Sequence, residues 1–233
     1  MKMKRSEKLG MFTGLVVGVL LLLISVFMIF QTTCKVWGAE KPANATQQGI
    51  DVSSHQGKID WEQVKNSALA DYAIIRCGYG VNQTDKDDKY WDYNSSECER
   101  LGIPYGTYLY SGADTTAKAK SEAEHVVRLL QGKNLTYPIY YDMEADMLNQ
   151  LSSTQIGNIA KTFLNTMESY GYKNVAVYSN KYLFETKLTA SVFSDYPKWI
   201  AQHSNKCTYQ GSYHMWQYST QGVIPGISEK VDL

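Results

Sequence analysis

From residue 49 onward the chain alternates between two kinds of hydrophobic pattern. Short apolar, β-branched or aromatic runs recur at GIDVS (49–53), YAIIRC (72–77), IPYGTYLYS (103–111), YPIYYDME (137–144), NVAVYS (174–179), KWIAQ (198–202), YHMWQYS (213–219) and EKVDL (229–233). Runs of this length, bounded by polar and turn residues, predict strands. Between the first six lie segments with helical spacing, around 60–69, 87–101, 116–131, 154–170 and 180–189. In the third, Ala119, Ala123, Val126, Val127 and Leu130 recur near helical intervals and form one apolar stripe. Ser152, Ser153 and Thr154 before the fourth, and Gly171 after it, read as its caps. Strand–helix units followed by strands with little between them predict an α/β fold. The expected form is an irregular, TIM-like (β/α)5(β)3 barrel of eight strands over residues 48–233. Function then belongs at the C-terminal ends of its strands.

The first 47 residues follow a different rule. Residues 1–10 carry Lys2, Lys4, Arg5 and Lys8, and residues 11–30 (MFTGLVVGVLLLLISVFMIF) carry no charge. About 20 apolar residues at about 1.5 Å each span a hydrocarbon core of roughly 30 Å. A basic cytoplasmic segment (1–10), a single-pass transmembrane anchor (11–30), a linker (31–47) and a domain outside the cytoplasm (48–233) are therefore expected. The alternative is secretion after signal cleavage, since Val36, Trp37 and Gly38 before Ala39 make a passable exit. Cys34 follows Gln31, Thr32 and Thr33, a poor lipoprotein signal.

Charge changes the picture by exclusion. The chain holds 23 basic and 23 acidic residues. Because residues 1–40 are net basic, the remainder is slightly acidic, which argues against a nucleic-acid partner. Four cysteines lie far apart with no CxxC pair. One disulfide, Cys77 with Cys98, and three reduced, buried thiols at Cys77, Cys98 and Cys207 are the two alternatives. The four histidines have no metal-ligand spacing, so no metal is expected, and TDKDD (84–88) lacks the later glycine and glutamate of a calcium loop and reads as a solvated turn. No GxSxG elbow or phosphate loop appears. No exposed apolar stripe asks for a second copy, so a monomer is expected.

The chemistry-bearing positions gather at the predicted strand ends. Asp142 and Glu144 finish the fourth strand two residues apart, which places them on one face roughly 6 to 7 Å apart. Asp51 lies in the first strand and Asp232 in the eighth, neighbours once a barrel closes. Tyr79, Tyr108, Tyr110, Tyr178, Trp199, Gln202 and Gln217 stand at or near other strand ends and are the candidate substrate-binding residues. Taken singly, each acid serves equally well in a salt bridge or cap, and each tyrosine in packing. Four acids beside an aromatic rim are what sugar cleavage requires: one carboxyl kept protonated by crowding, others stabilising positive charge at the sugar.

In order, GIDVSSHQGKIDW, YAIIRCGYG, LGIPYGTYLYS, YPIYYDMEA, VYSN, WIAQ, and MWQY followed by PGISEKVDL resemble the strand motifs of glycoside hydrolase family 25, the Chalaropsis-type lysozymes or N-acetylmuramidases. The resemblance covers 48–233. It implies the five-plus-three barrel and cleavage of the β-1,4 bond between N-acetylmuramic acid and N-acetylglucosamine in peptidoglycan, with no metal or organic cofactor. Carried over, Glu144 is the general acid and Asp142 its partner at the substrate's acetamido group or the water. Asp51 and Asp232 line the same cleft. The alternatives are a glycan-binding module without catalysis on the same fold, and a glycosidase for another acetamido-sugar polymer.

Overall fold

The computed structural model describes residues 45–233; the anchor expected at 11–30 and Cys34 lie outside the described residues. Seven strands form one all-parallel sheet in sequence order: β1 (Gly49–Val52), β2 (Tyr72–Tyr79), β3 (Tyr105–Tyr110), β4 (Ile139–Asp142), β5 (Val175–Asn180), β6 (Lys198–Ala201) and β7 (Met215–Gln217). Helices α1 (Trp61–Ser67), α2 (Trp91–Leu101), α3 (Thr116–Leu129), α4 (Ser153–Ser169), α5 (Lys181–Thr186) and α6 (Val192–Asp195) connect them.

Four of the six helices begin where a side chain supplies an acceptor for their unpaired N–H groups. Asp60 accepts from Gln63 N–H, Thr115 from Lys118 N–H, and Ser152 from Gln155 N–H, the last within a reciprocal capping box. The α3 stripe is buried as its spacing predicts: Ala119, Ala123 and Val126 are wholly inaccessible, with Val127 and Leu130 nearly so. On the concave side of the sheet, Ile74, Tyr140, Ala176, Tyr178, Trp199 and Ala201 pack into one cluster, joined by the partly buried Tyr108 and Met215. The concave face of the sheet is thus filled by side chains.

The sequence expectation fails at closure. Among the described residues no eighth parallel strand forms, and the sheet is a curled half-barrel. Between β7 and β1 the C-terminal tail makes only single bridges, Asp232 antiparallel to Asp51 and Val231 antiparallel to Gly222. The tail is pinned by Leu233 N–H to Ser219 O (2.9 Å) and by Tyr218 N–H to Leu233 O (2.8 Å). EKVDL is too short and too charged to sustain a ladder buried on both faces. The disulfide alternative also fails: Cys77 and Cys98 are free, buried thiols, while Cys207 is free and half-exposed. Among the described residues no helix is long and apolar enough to cross a membrane.

Candidate active site

Each carboxylate reaches the C-terminal end of the sheet by a separate backbone device. Asp51 is the third residue of β1, and its N–H donates to the Asp232 carbonyl at 3.0 Å, which draws the tail alongside the first strand. β4 ends at Asp142, but Met143 N–H still donates to Tyr178 O at 2.9 Å. The chain stays extended past the last strand residue, so Glu144 returns to the face of Asp142. All four acids line one cleft of about 210 Å³, walled by Tyr108, Tyr110, Tyr178 and Trp199.

Gln217 of β7 ties this arrangement together. Its Nε2 donates to Asp51 Oδ2 at 2.9 Å and to Asp232 Oδ2 at 3.3 Å. Its Oε1 accepts from Tyr178 Oη at 2.9 Å and pairs with His203 Nε2 at 2.9 Å. The amide is 2 % exposed and fully engaged by protein groups, so it positions two acids and does not face a ligand. Two other expected ligand residues also lie off the cleft lining. Tyr79 pairs in register with Tyr110, but its ring lies under Lys86 Nζ (5.1 Å) on the following loop. Gln202 spends its side chain on Thr208, accepting from its N–H at 2.8 Å and donating to its Oγ1 at 3.0 Å.

Burial raises every acid in the cleft, and neighbouring carboxylates raise three of them further. Burial pushes Asp51 well above the usual carboxylate range, the charges of Asp232 and Glu144 push further, and hydrogen bonds from Tyr108 and Gln217 oppose. Asp142 is driven well up by burial, then by Glu144 and Asp51, with Arg76 opposing. Glu144 is raised by burial and then by Asp232, and Asp232 by burial, His203 opposing in both cases. A cleft that resists losing its protons can hold a general acid at neutral pH. Asp142 Oδ1 is buried with no hydrogen-bond partner, an unsatisfied acceptor on a side chain that lines the cleft.

Sequence reasoning missed Arg76, His55 and Asp88. Arg76 and His55 line the cleft. Arg76 is held by Asp88 (Nε to Oδ2, 2.9 Å) and donates to Ser54 Oγ at 2.8 Å. Asp88 is 5 % exposed and also accepts from the N–H groups of Ser54 and Tyr90, both at 2.9 Å. The solvated-turn reading of TDKDD is therefore corrected: it makes a 3-10 turn (Thr84–Lys86) followed by two anchoring acids. Asp87 accepts from Arg128 Nη1 (2.9 Å) and Nη2 (2.6 Å) and meets His125 Nε2 at 2.7 Å. The one available signal was Arg76 itself, a lone cation inside the otherwise apolar YAIIRC.

The sequence model of the family described as glycosyl hydrolases family 25 matches residues 50–227, most of the described chain. The chain belongs to this family. The autolytic lysozyme of Clostridium acetobutylicum is 30% identical over 187 residues, covering 80% of this chain and 54% of that protein. The modular autolysin LytC of Streptococcus pneumoniae superposes with a TM-score of 0.73 at 34% identity over 80% of this chain and 45% of its own. LytC is also known in complex with a synthetic peptidoglycan ligand. A family 25 glycosyl hydrolase from Bacillus anthracis shares the fold, with a TM-score of 0.72 at 20% identity over 84% of this chain and 90% of its own. The chain spans about half the length of the Clostridium lysozyme and of LytC.

Proposed function

We propose that the chain is an N-acetylmuramidase that cleaves the β-1,4 bond between N-acetylmuramic acid and N-acetylglucosamine in peptidoglycan. The observation that carries this reading is the meeting of Asp142 and Glu144 with Asp51 and Asp232 in one aromatic-walled cleft, all four raised above their ordinary range. Family membership and the lysozyme and autolysin relatives support it.

Glu144, kept protonated, donates to the glycosidic oxygen as the C1–O bond breaks. Asp142 accepts the acetamido N–H at its unpartnered Oδ1, which turns the acetamido oxygen toward C1, where positive charge develops. The oxygen closes on C1. Glu144, now a carboxylate, takes a proton from the water that reopens the ring, and net configuration is retained. Asp51 and Asp232, bridged by the Gln217 amide, hold the sugar at the cleavage point, and burial with the Asp232 charge keeps the proton on Glu144. Tyr110, Tyr108 and Trp199 offer ring faces to the sugars. These steps call on no metal or organic cofactor.

Residues 11–30 are read as a membrane anchor that leaves the catalytic domain on the wall side, as a monomer. Supporting this are the uncharged 20-residue run and the basic cluster before it. Carbonate extraction of cell membranes checks the anchor: the intact chain stays in the pellet, and release into the supernatant would overturn it. For the activity, the full chain is incubated with purified peptidoglycan and the new ends are reduced with borohydride and identified by mass spectrometry. Reduced N-acetylmuramic acid is expected; reduced N-acetylglucosamine would make the enzyme a glucosaminidase.

A further inference from the structure

The largest groove among those described is remote from the carboxylates. It measures about 790 Å³ and lies at the other end of the sheet. Its walls include Gly49 and Tyr72, the first residues of β1 and β2, with Pro138, Asn174 and His214 just before β4, β5 and β7. Because the strands are all parallel, these positions share the N-terminal end.

The chemistry of the walls is selective. Charged residues make up 20% of the chain, yet among the described residues none of the side chains lining this groove is Asp, Glu, Lys or Arg. Burial of part of the ring holds the His214 imidazole below its ordinary range, which favours its uncharged form. The rings of Tyr72 and Tyr137 stack at 4.2 Å and 15° to form one aromatic wall. Tyr72 and Tyr218 are only 9 % and 8 % exposed, and neither hydroxyl has a hydrogen-bond partner among the described residues. Both side chains line the groove, so a hydroxyl with no protein partner there is free to pair with a polar ligand. The exposed side chains of Asn174 and Ser212 add an amide and a hydroxyl at the rim.

Aromatic faces beside uncharged donors and acceptors suit a saccharide, whose ring has apolar C–H faces and hydroxyl edges. An ionic ligand would find no counter-charge among the described lining side chains. We propose that this groove is a second glycan-binding site, taking an uncharged stretch of N-acetylhexosamine chain at the end of the half-barrel opposite the catalytic cleft. The choice of an acetamido sugar rests on the muramidase reading; the neutral saccharide class rests on the groove alone. Such a site holds the polymer while the cleft cuts elsewhere on it.

Calorimetry with N-acetylglucosamine oligomers tests this on the full chain carrying Glu144→Gln. Saturable binding is expected to survive Tyr110→Ala, which strips the cleft rim. It is expected to weaken about tenfold or more with Asn174→Asp, which puts a charge at the groove rim, and with Tyr137→Ala. Asn174 is exposed, so its substitution leaves folding intact even if the Tyr137 variant unfolds. Absence of binding, or binding lost with Tyr110→Ala and indifferent to Asn174→Asp, would overturn the proposal. Peptidoglycan cleavage by the Asn174→Asp chain with Glu144 restored is measured in parallel. Its failure in the parent chain counts against the muramidase reading and leaves the groove assignment to the binding data.

Discussion

Replacing Gln217 by leucine removes the amide that joins Tyr178, His203, Asp51 and Asp232 while keeping a side chain of similar volume. The bond to Asp51 at 2.9 Å is charge-assisted whenever that acid is ionised; the one to Asp232 at 3.3 Å is long and contributes less. Both carboxylates are half-buried, so water in the cleft recovers part of what they lose. The Tyr178 hydroxyl is 7 % exposed by residue and recovers little. Taking about 1–2 kcal/mol for the carboxylate side and about 1–2 kcal/mol for the stranded hydroxyl gives a loss of about 2–4 kcal/mol. For a domain of this size that lowers Tm by about 5–15 °C. Thermal unfolding followed by circular dichroism at pH 7 reads the stability. Turnover on peptidoglycan, measured well below the new Tm, reads the second effect: kcat falls about ten- to a hundredfold with little change in KM, because Gln217 positions acids and touches no sugar. A Tm within 1 °C of the parent, or a loss confined to KM, would refute this role.

Two further outcomes follow from the same cleft and the strand beside it. Asp51 is raised in the folded state, mainly by burial, so its contribution to stability is fully present below the unfolded carboxylate pKa and is lost as pH rises through the folded value. Asp51→Asn should therefore gain stability relative to the parent as pH goes from 4 to 8, by an amount on the order of 1 kcal/mol at the upper end, while losing turnover; a constant or shrinking difference across that range would contradict the burial argument. A Cβ at Gly78 would stand 2.8 Å from both His125 Cε1 and the Lys86 carbonyl oxygen, two residues from Arg76. Gly78→Ala should cost about 1–3 kcal/mol in urea unfolding, and an unchanged midpoint would show that the 80–88 loop gives way freely.

Much of the fold was legible because period and punctuation agreed. The α3 stripe, the Ser152 cap and seven of the eight strands stand where the pattern puts them, and the two-residue spacing of Asp142 and Glu144 was enough to predict a shared cleft. What failed depended on interactions across the chain. EKVDL has a strand-like middle, but its closing partner is a single bridge to Asp51. Tyr79, Gln202 and Gln217 sit at strand ends as expected, yet each side chain is taken up by Lys86, Thr208 or the acids themselves. Asp87 and Asp88 looked like solvent-facing charges because their partners, Arg128, His125, Arg76 and Ser54, are supplied by other elements. Local pattern specifies which way a side chain starts, and only the assembled neighbours decide what it meets.

The assignment of Glu144 as the acid is tested most directly by Glu144→Gln in the full chain, comparing release of reduced N-acetylmuramic acid ends with binding to the same peptidoglycan. The glutamine keeps the shape and a hydrogen bond but has no proton to give at this pH. Loss of turnover by about a thousandfold with retained binding is predicted. Turnover near the parent rate would contradict it and leave the four crowded carboxylates without their leading role.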